Sequence, residues 1–227
     1  MGIQYNPKVV TDGLVFYVDA ANKRSYPGTG TTWTDLKGGN NGTFNNMDAA
    51  NFSNDNAGSL SFDGTDEYVE FANSQSQSGL TLSAWCNFDS TVLINSHMIS
   101  VADETLTHYT SLQWKNLGNV MYLTARQFDG TVRDATEASS SNDDEWHHVV
   151  GVFNGASQVL YVDGVQTATN TATPSLTTTT RGKIGVTADS TPTGYFQGKI
   201  QSAQIYNRAL SAAEIKQNYL ATKGRYK

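Results

Sequence analysis

Apolar side chains return at every second position through much of this chain, as in Leu80, Leu82, Ala84, Cys86 and Phe88, or Met121, Leu123 and Ala125. A period of two is the mark of a β-strand with one buried face. On this basis strands are predicted over Leu14–Asp19, Ser59–Phe62, Tyr68–Phe71, Leu80–Phe88, His97–Val101, Tyr109–Lys115, Val120–Arg126, Thr131–Glu137, His147–Phe153, Gln158–Val162, Lys183–Val186 and Phe196–Tyr206. Gly, Asn and Asp punctuate them at even spacing, the texture of an all-β, antiparallel two-sheet sandwich or jelly roll. Asp163-Gly164, between LYV and VQT, fits a type I′ hairpin because both central residues need positive φ; Asp129-Gly130 and Gly118-Asn119 fit the same role. Only 4 prolines occur, so central strands keep their N–H donors. After Asn207-Arg208 the period changes. Ser211 is placed to cap a short C-terminal helix, with Glu214 three residues on completing a capping box.

Two regions break the alternation. Asn22–Asn56 is rich in Gly, Asn and Thr with few apolar anchors and reads as long loops. Thr167–Thr180 has a mucin-like composition, but Thr also suits pleated geometry, so an edge strand and loop is the expectation there. No internal repeat or linker divides the chain. The organisation expected is a polar tail, Met1–Thr11, acting as a docking arm or simply disordered, followed by one domain over 12–227.

Charge and composition narrow the function. The net charge is -6, with the acidic residues scattered, which argues against a nucleic-acid partner. The opening MGIQYNPKVV lacks the pattern of a signal peptide, and no apolar run approaches the roughly 20 residues that membrane insertion by a helix requires. The single cysteine, Cys86, allows no internal disulfide and reads as a small buried hydrophobe.

The segment GKIQSAQIYNRALSAAEI (198–215) resembles the C-terminal signature of laminin-G-like, concanavalin A-like jelly-roll domains. Similarity continues in Ser61–Phe71 (SFDGTDEYVEF), in Leu80–Trp85 (LTLSAW) and in the strand pair after Glu145 (EWHHVVGVF, then QVLYVDG). Asp12–Ala21 and Trp33–Thr43 look like the opening of phage-encoded members. The resemblance implies the fold; the fold itself hosts lectins, adhesion modules and glycosidases alike. One departure concerns calcium. Where relatives carry Asp-Glu in the last strand, often beside a structural calcium, this chain has Gln201-Ser202, and a neutral carbonyl is a poor substitute for hard anionic oxygens. Asp63, Asp66 and Glu67 offer a second acidic group, although Asp63-Gly64 also makes sense as a plain turn. No metal or cofactor is expected.

Catalytic chemistry is not expected either. The E-x-D-x-x-E strand of laminarinase-type glycosidases, which sets two carboxylates on one face, is missing, and Glu67 and Glu70 are spaced so as to split across a sheet. Asp143-Asp144-Glu145 reads as a solvated strand entrance. His147 and His148 are adjacent and face opposite sides, while His97 and His108 lack partners at metal-ligand spacing.

In such a sandwich one sheet presents an open face. Alternation assigns Leu112, Trp114, Met121, Leu123 and Ala125 to the core, leaving Tyr109, Ser111, Gln113, Tyr122, Thr124 and Arg126 outward, with Arg133 and Glu137 beside them. Rings, amides and guanidinium groups suit a sugar, whose CH faces stack and whose hydroxyls take paired hydrogen bonds. The expected function is a non-catalytic glycan-binding or adhesion module carried on a phage virion and released by lysis. The alternatives are a structural virion component (capsid decoration or tail protein) docked on other virion proteins, and a glycoside hydrolase. A homo-oligomer is left open.

Overall fold

The computed structural model describes residues 7–76, 79–89, 91, 94–105, 108–141, 143–173 and 177–226. Its strands, in chain order, are β1 (Leu14–Asp19), β2 (Thr32–Trp33), β3 (Gly42–Asn45), β4 (Phe52–Ser53), β5 (Ser59–Asp63), β6 (Tyr68–Ala72), β7 (Leu80–Phe88), β8 (Ser96–Ala102), β9 (Tyr109–Asn116), β10 (Met121–Phe128), β11 (Val132–Thr136), β12 (Trp146–Phe153), β13 (Gln158–Val162), β14 (Val165–Asn170), β15 (Arg181–Ile184) and β16 (Gln197–Tyr206). One α-helix, α1 (Ala212–Thr222), follows them. The first sheet runs β14-β13-β12-β7-β16-β5-β4, with β1 added on β16, and the second runs β11-β10-β9-β8-β15-β6-β3-β2. Every ladder that defines them is antiparallel. The expected two-sheet jelly-roll sandwich is therefore the observed fold.

The alternating positions meet between the sheets. Phe16 stacks on Phe71 at 4.0 Å and Phe88 on Trp114 at 4.2 Å, each pair joining one sheet to the other. Such contacts add about 0.5–1.5 kcal/mol to the burial of the rings. Gly182 leaves room for the first pair, since a Cβ there would come within 2.2 Å of the Phe71 ring, and a Cβ on Gly151 would come within 2.8 Å of Leu112. Cys86 is buried in the same core.

The long-loop reading of 22–56 is corrected. Tyr26 and Trp33 are fully buried, Phe44 nearly so, and the segment contributes β2, β3 and β4. Strands of two to four residues with one apolar anchor each have no visible period. Two of the three turns have the expected backbone, since Asp163 and Gly164, and Gly118 and Asn119, all show positive φ. At Asp129-Gly130 only Gly130 does, because three residues separate the paired Phe128 and Val132. The strand expected to reach Val186 stops at Ile184, where Gly185 turns the chain out with φ 90°.

The C-terminal helix forms as its cap predicts. Ser211 Oγ accepts from Glu214 N while Ser211 N donates to the Glu214 carboxylate at 2.9 Å. Arg208 grips the same carboxylate at 2.5 Å and, with the Ser211 donors, holds it down to about 2. Part of the expected N-terminal tail is tied down: Val10 N donates to Asn218, and Gln217 donates to the Lys8 carbonyl. Met1–Asn6 lies outside the described residues.

Candidate functional site

The outer faces of the two sheets differ. On the first, Trp85 of β7 and His148 of β12 point away from the core. Tyr226 stacks on Trp85 at 3.8 Å, Tyr219 of α1 at 5.9 Å, and the Trp85 indole donates to Thr222 at 2.8 Å. Arg225 pins the end of this cover to the buried Asp19 at 2.7 Å. The outer face of the second sheet carries no α-helix among the described residues.

Register writes a polar row straight across that second face. Thr32 pairs with Thr43, Thr43 with Glu70, Glu70 with Lys183, Lys183 with Ser100, Ser100 with Ser111, Ser111 with Arg126, and Arg126 with Asp134. Residues directly opposite on neighbouring strands share a face, so the whole row points outward. Beside it runs a second row, His97–Gln113–Thr124–Thr136.

Six of the seven predicted site residues lie on this face: Tyr109, Ser111, Gln113, Tyr122, Thr124 and Arg126. Arg133 does not, and its placement is corrected. It pairs with Gln127, whose amide turns toward the first sheet to reach Gln158 at 2.8 Å, and the Arg133 guanidinium bonds Asp129 instead. Glu137 is likewise displaced, its carboxylate accepting from Leu123 N at 2.7 Å and capping the end of the β10 ladder. The sequence reading put Arg133 and Glu137 beside Arg126; the register puts Asp134 there.

Accessibility brings a further correction. Ser111 and Thr124 are 0 % and Gln113 2 % exposed, so these three line a buried layer rather than the open surface. The long side chains above them account for this. Arg126 lies flat in a fork with Asp134, both contacts at 2.7 Å, and Lys115 reaches the same carboxylate at 2.6 Å. Burial would raise the Asp134 carboxyl, but Arg126 and Lys115 hold it below its usual range. Tyr109 covers the other side, its ring edge-on to His97 at 6.0 Å and stacked on Phe128 at 5.2 Å. Sequence reading set His97 aside; only the β8–β9 register brings it to Gln113. Its burial, and the Arg126 charge nearby, push it down to about 3, so the ring is neutral.

The accessible part of the face lies over β3, β6 and β15. An open groove of about 680 Å³ is lined there by Asn41, Thr43, Asn45, Glu70, Glu104 and Arg181, among others. This is within the size range of ligand sites. Arg181 and Glu70 stand 4.0 Å apart, each side chain 40 % exposed. Tyr68 pairs directly with the groove residue Asn45, and Tyr195 leans on Tyr68 at 6.4 Å. The Lys183 ammonium sits over the Tyr68 ring at 5.0 Å, and burial holds its pKa below the ordinary value. No signal marked this groove in the sequence, since its walls come from segments up to 140 positions apart.

Two carboxylates, Glu70 and Glu104, line the groove, and Glu70 stands 4.0 Å from the Arg181 guanidinium. Glu67 is occupied by Asn51 at 2.7 Å and by the Asp63 N–H. His147 is clamped between Asp163 and Asp143, each at 2.9 Å, on the opposite side of β12 from His148. Among the described residues no three His, Cys, Asp or Glu side chains gather as metal ligands would. In the last strand, where the Gln201-Ser202 departure argued against calcium, Gln201 is buried, its amide donating to the Asn56 carbonyl at 2.6 Å and its carbonyl accepting from Tyr226. Asp63 Oδ1 accepts from Thr65 N at 2.8 Å, the geometry of a turn.

Residues 63–216 match the family model described as the concanavalin A-like lectin/glucanases superfamily. No curated protein sequence matches the chain. Among solved structures, Trypanosoma rangeli sialidase in complex with sialic acid superposes with a TM-score of 0.65 at 17% identity, covering 98% of this chain and 36% of the sialidase. The chain thus spans about a third of those sialidase chains. Domain 4 of AbnA, a GH43 extracellular arabinanase from Geobacillus stearothermophilus in complex with arabinotriose, gives 0.62 at 16% identity and covers 92% of this chain and 98% of that one. The heptameric SAP-like pentraxin of Limulus polyphemus gives 0.56 at 17% identity, with 69% and 78% covered. At these identities the likeness is one of fold.

Proposed function

From the premise that this chain belongs to the concanavalin A-like lectin/glucanase superfamily, we propose that it is a non-catalytic glycan-binding module whose ligand lies in the groove over β3, β6 and β15. The observation that carries this reading is the arrangement of that groove. Side-chain amide, hydroxyl, carboxylate and guanidinium groups of Asn45, Thr43, Glu70 and Arg181 line an open trough, with the Tyr68–Tyr195 ring pair at its flank. A sugar stacks a CH face on a ring and gives each hydroxyl a donor and an acceptor, which amides and an Arg–Glu pair supply side by side. The likeness of residues 12–21 and 33–43 to phage-encoded members supports a virion as carrier, and copurification with intact particles tests that part.

A glycan array followed by titration calorimetry tests the site. Arg181→Ala is expected to weaken the best glycan by about tenfold or more, a charged hydrogen-bonding group being worth roughly 1.5–3 kcal/mol, and Tyr68→Ala by about two- to tenfold, a stacking ring being worth roughly 0.5–1.5 kcal/mol. Unchanged affinity in both variants would remove the groove as the site.

A further inference from the structure

Eight buried side-chain atoms among the described residues have no hydrogen-bonding partner, and three of them lie together on the outer face of the second sheet: His97 Nδ1, Ser111 Oγ and Gln113 Oε1. His97 and Gln113 are directly opposed across β8 and β9, and Ser111 is the next outward residue along β9. All three residues are at most 3 % exposed. A buried polar atom without a partner costs about 1–3 kcal/mol, so three in one place are a concentrated cost with no structural return. Tyr109 lies edge-on to His97, Arg126 is directly opposed to Ser111 across β9 and β10, and the loop 187–194 meets His97 at Gly194. That loop is bonded mainly to itself, Thr187 N to the Thr193 carbonyl and Thr193 N to Thr187 Oγ1. It meets the sheet through Ala188 N to Ser100 Oγ at 3.2 Å, His97 N to the Gly194 carbonyl at 2.9 Å, and the close approach of Gly194 to the His97 ring.

We propose that His97, Ser111 and Gln113 form the floor of a second, closed subsite that takes a neutral hydroxylated group, one sugar residue or a small polyol, when the Tyr109 side chain swings aside. The donor and acceptor balance selects the ligand. The Gln113 amide nitrogen lies 3.4 Å from His97 Nε2. Donation from that amide leaves the imidazole proton on Nδ1, so the floor presents one donor, one acceptor and one hydroxyl that does both. A carboxylate satisfies no acceptor here and an ammonium no donor, whereas a sugar hydroxyl answers each. The loss of the three unpaired groups offsets the displacement of Tyr109. The subsite rests on the glycan reading of this face only for the class of its ligand, because it shares no residue with the groove.

Imidazole-resolved NMR of the whole chain, titrated with glycerol and with methyl hexosides, reads the floor directly. The His97 ring-nitrogen resonances are expected to move with saturation, and Ser111→Ala to weaken binding of the responding sugar by about tenfold, one hydrogen bond's worth. The same variant should melt higher than the parent when free, because it deletes a buried unpaired hydroxyl; a purely structural Ser111 would not couple those two signs. Gln113→Met provides an independent second variant. The proposal is overturned by His97 resonances that stay still under saturating sugar, or by Ser111→Ala and Gln113→Met binding as the parent does. Oligosaccharide binding lost in Arg181→Ala while His97 never responds would keep the groove and remove this subsite. A His97 response that survives Arg181→Ala, with no oligosaccharide binding to the parent, would do the reverse.

Discussion

His147 shows how single residues here are set by their neighbours. Burial alone would lower its pKa, but hydrogen bonds to Asp163 and Asp143 outweigh that and raise it from 6.5 to about 9. Burial likewise would raise Asp163, yet the His147 contact and the His148 N–H hold it below its ordinary range. For a raised pKa the stabilisation is complete below the unfolded value and disappears as pH climbs through the folded one. The melting temperature is therefore expected to fall between about pH 6.5 and about pH 9 on account of this group, and His147→Gln to flatten that part of the curve. A parent protein whose thermal stability is level across this window would contradict the clamp. In the sequence the His147-His148 pair was legible as two residues facing opposite ways. Their carboxylate partner Asp163 was visible only as a turn residue, because a hairpin folds it back beside the strand.

Elements were legible where their pattern was long. The 9 residues of β7 and the 10 of β16 repeat their period enough to be found, and the helix was announced by its cap. β2 and β4, with 2 residues each, were not. Edges of elements depended on backbone chemistry that the period does not encode, such as the turn at Gly185 that ends β15. The cap makes its own prediction. Ser211→Ala removes the acceptor for Glu214 N and is expected to cost about 1 kcal/mol, seen as a lower urea midpoint with unchanged slope. Because α1 and the following Tyr226 cover Trp85, loosening this helix should also change the tryptophan fluorescence, whereas glycan binding at the far sheet should hold. Lost binding in Ser211→Ala would mean that the two faces are coupled.

At the scale of the molecule, the C-terminal helix and Tyr226 cover part of the first sheet, and the groove proposed as the glycan site lies on the second. In that groove Glu70 stands beside Arg181, which favours its charged form over a role as acid, so saturating the protein with β-glucans or arabinans is expected to release no reducing sugar; release that tracks protein concentration would bring hydrolysis back. The alternating pattern, the turn residues and the capping box by themselves determined the sandwich, its buried strands and most of the outward-facing residues, because each depends on contacts within a few positions or on a period of two. Register decided the rest. It placed Asp134 rather than Arg133 beside Arg126, buried Ser111, Gln113 and Thr124 under longer neighbours, brought His97 to Gln113, and built a groove from β3, β6 and β15. Which strand lies next to which, and with what offset, is fixed by packing between distant segments, and alternation along one strand carries no record of it.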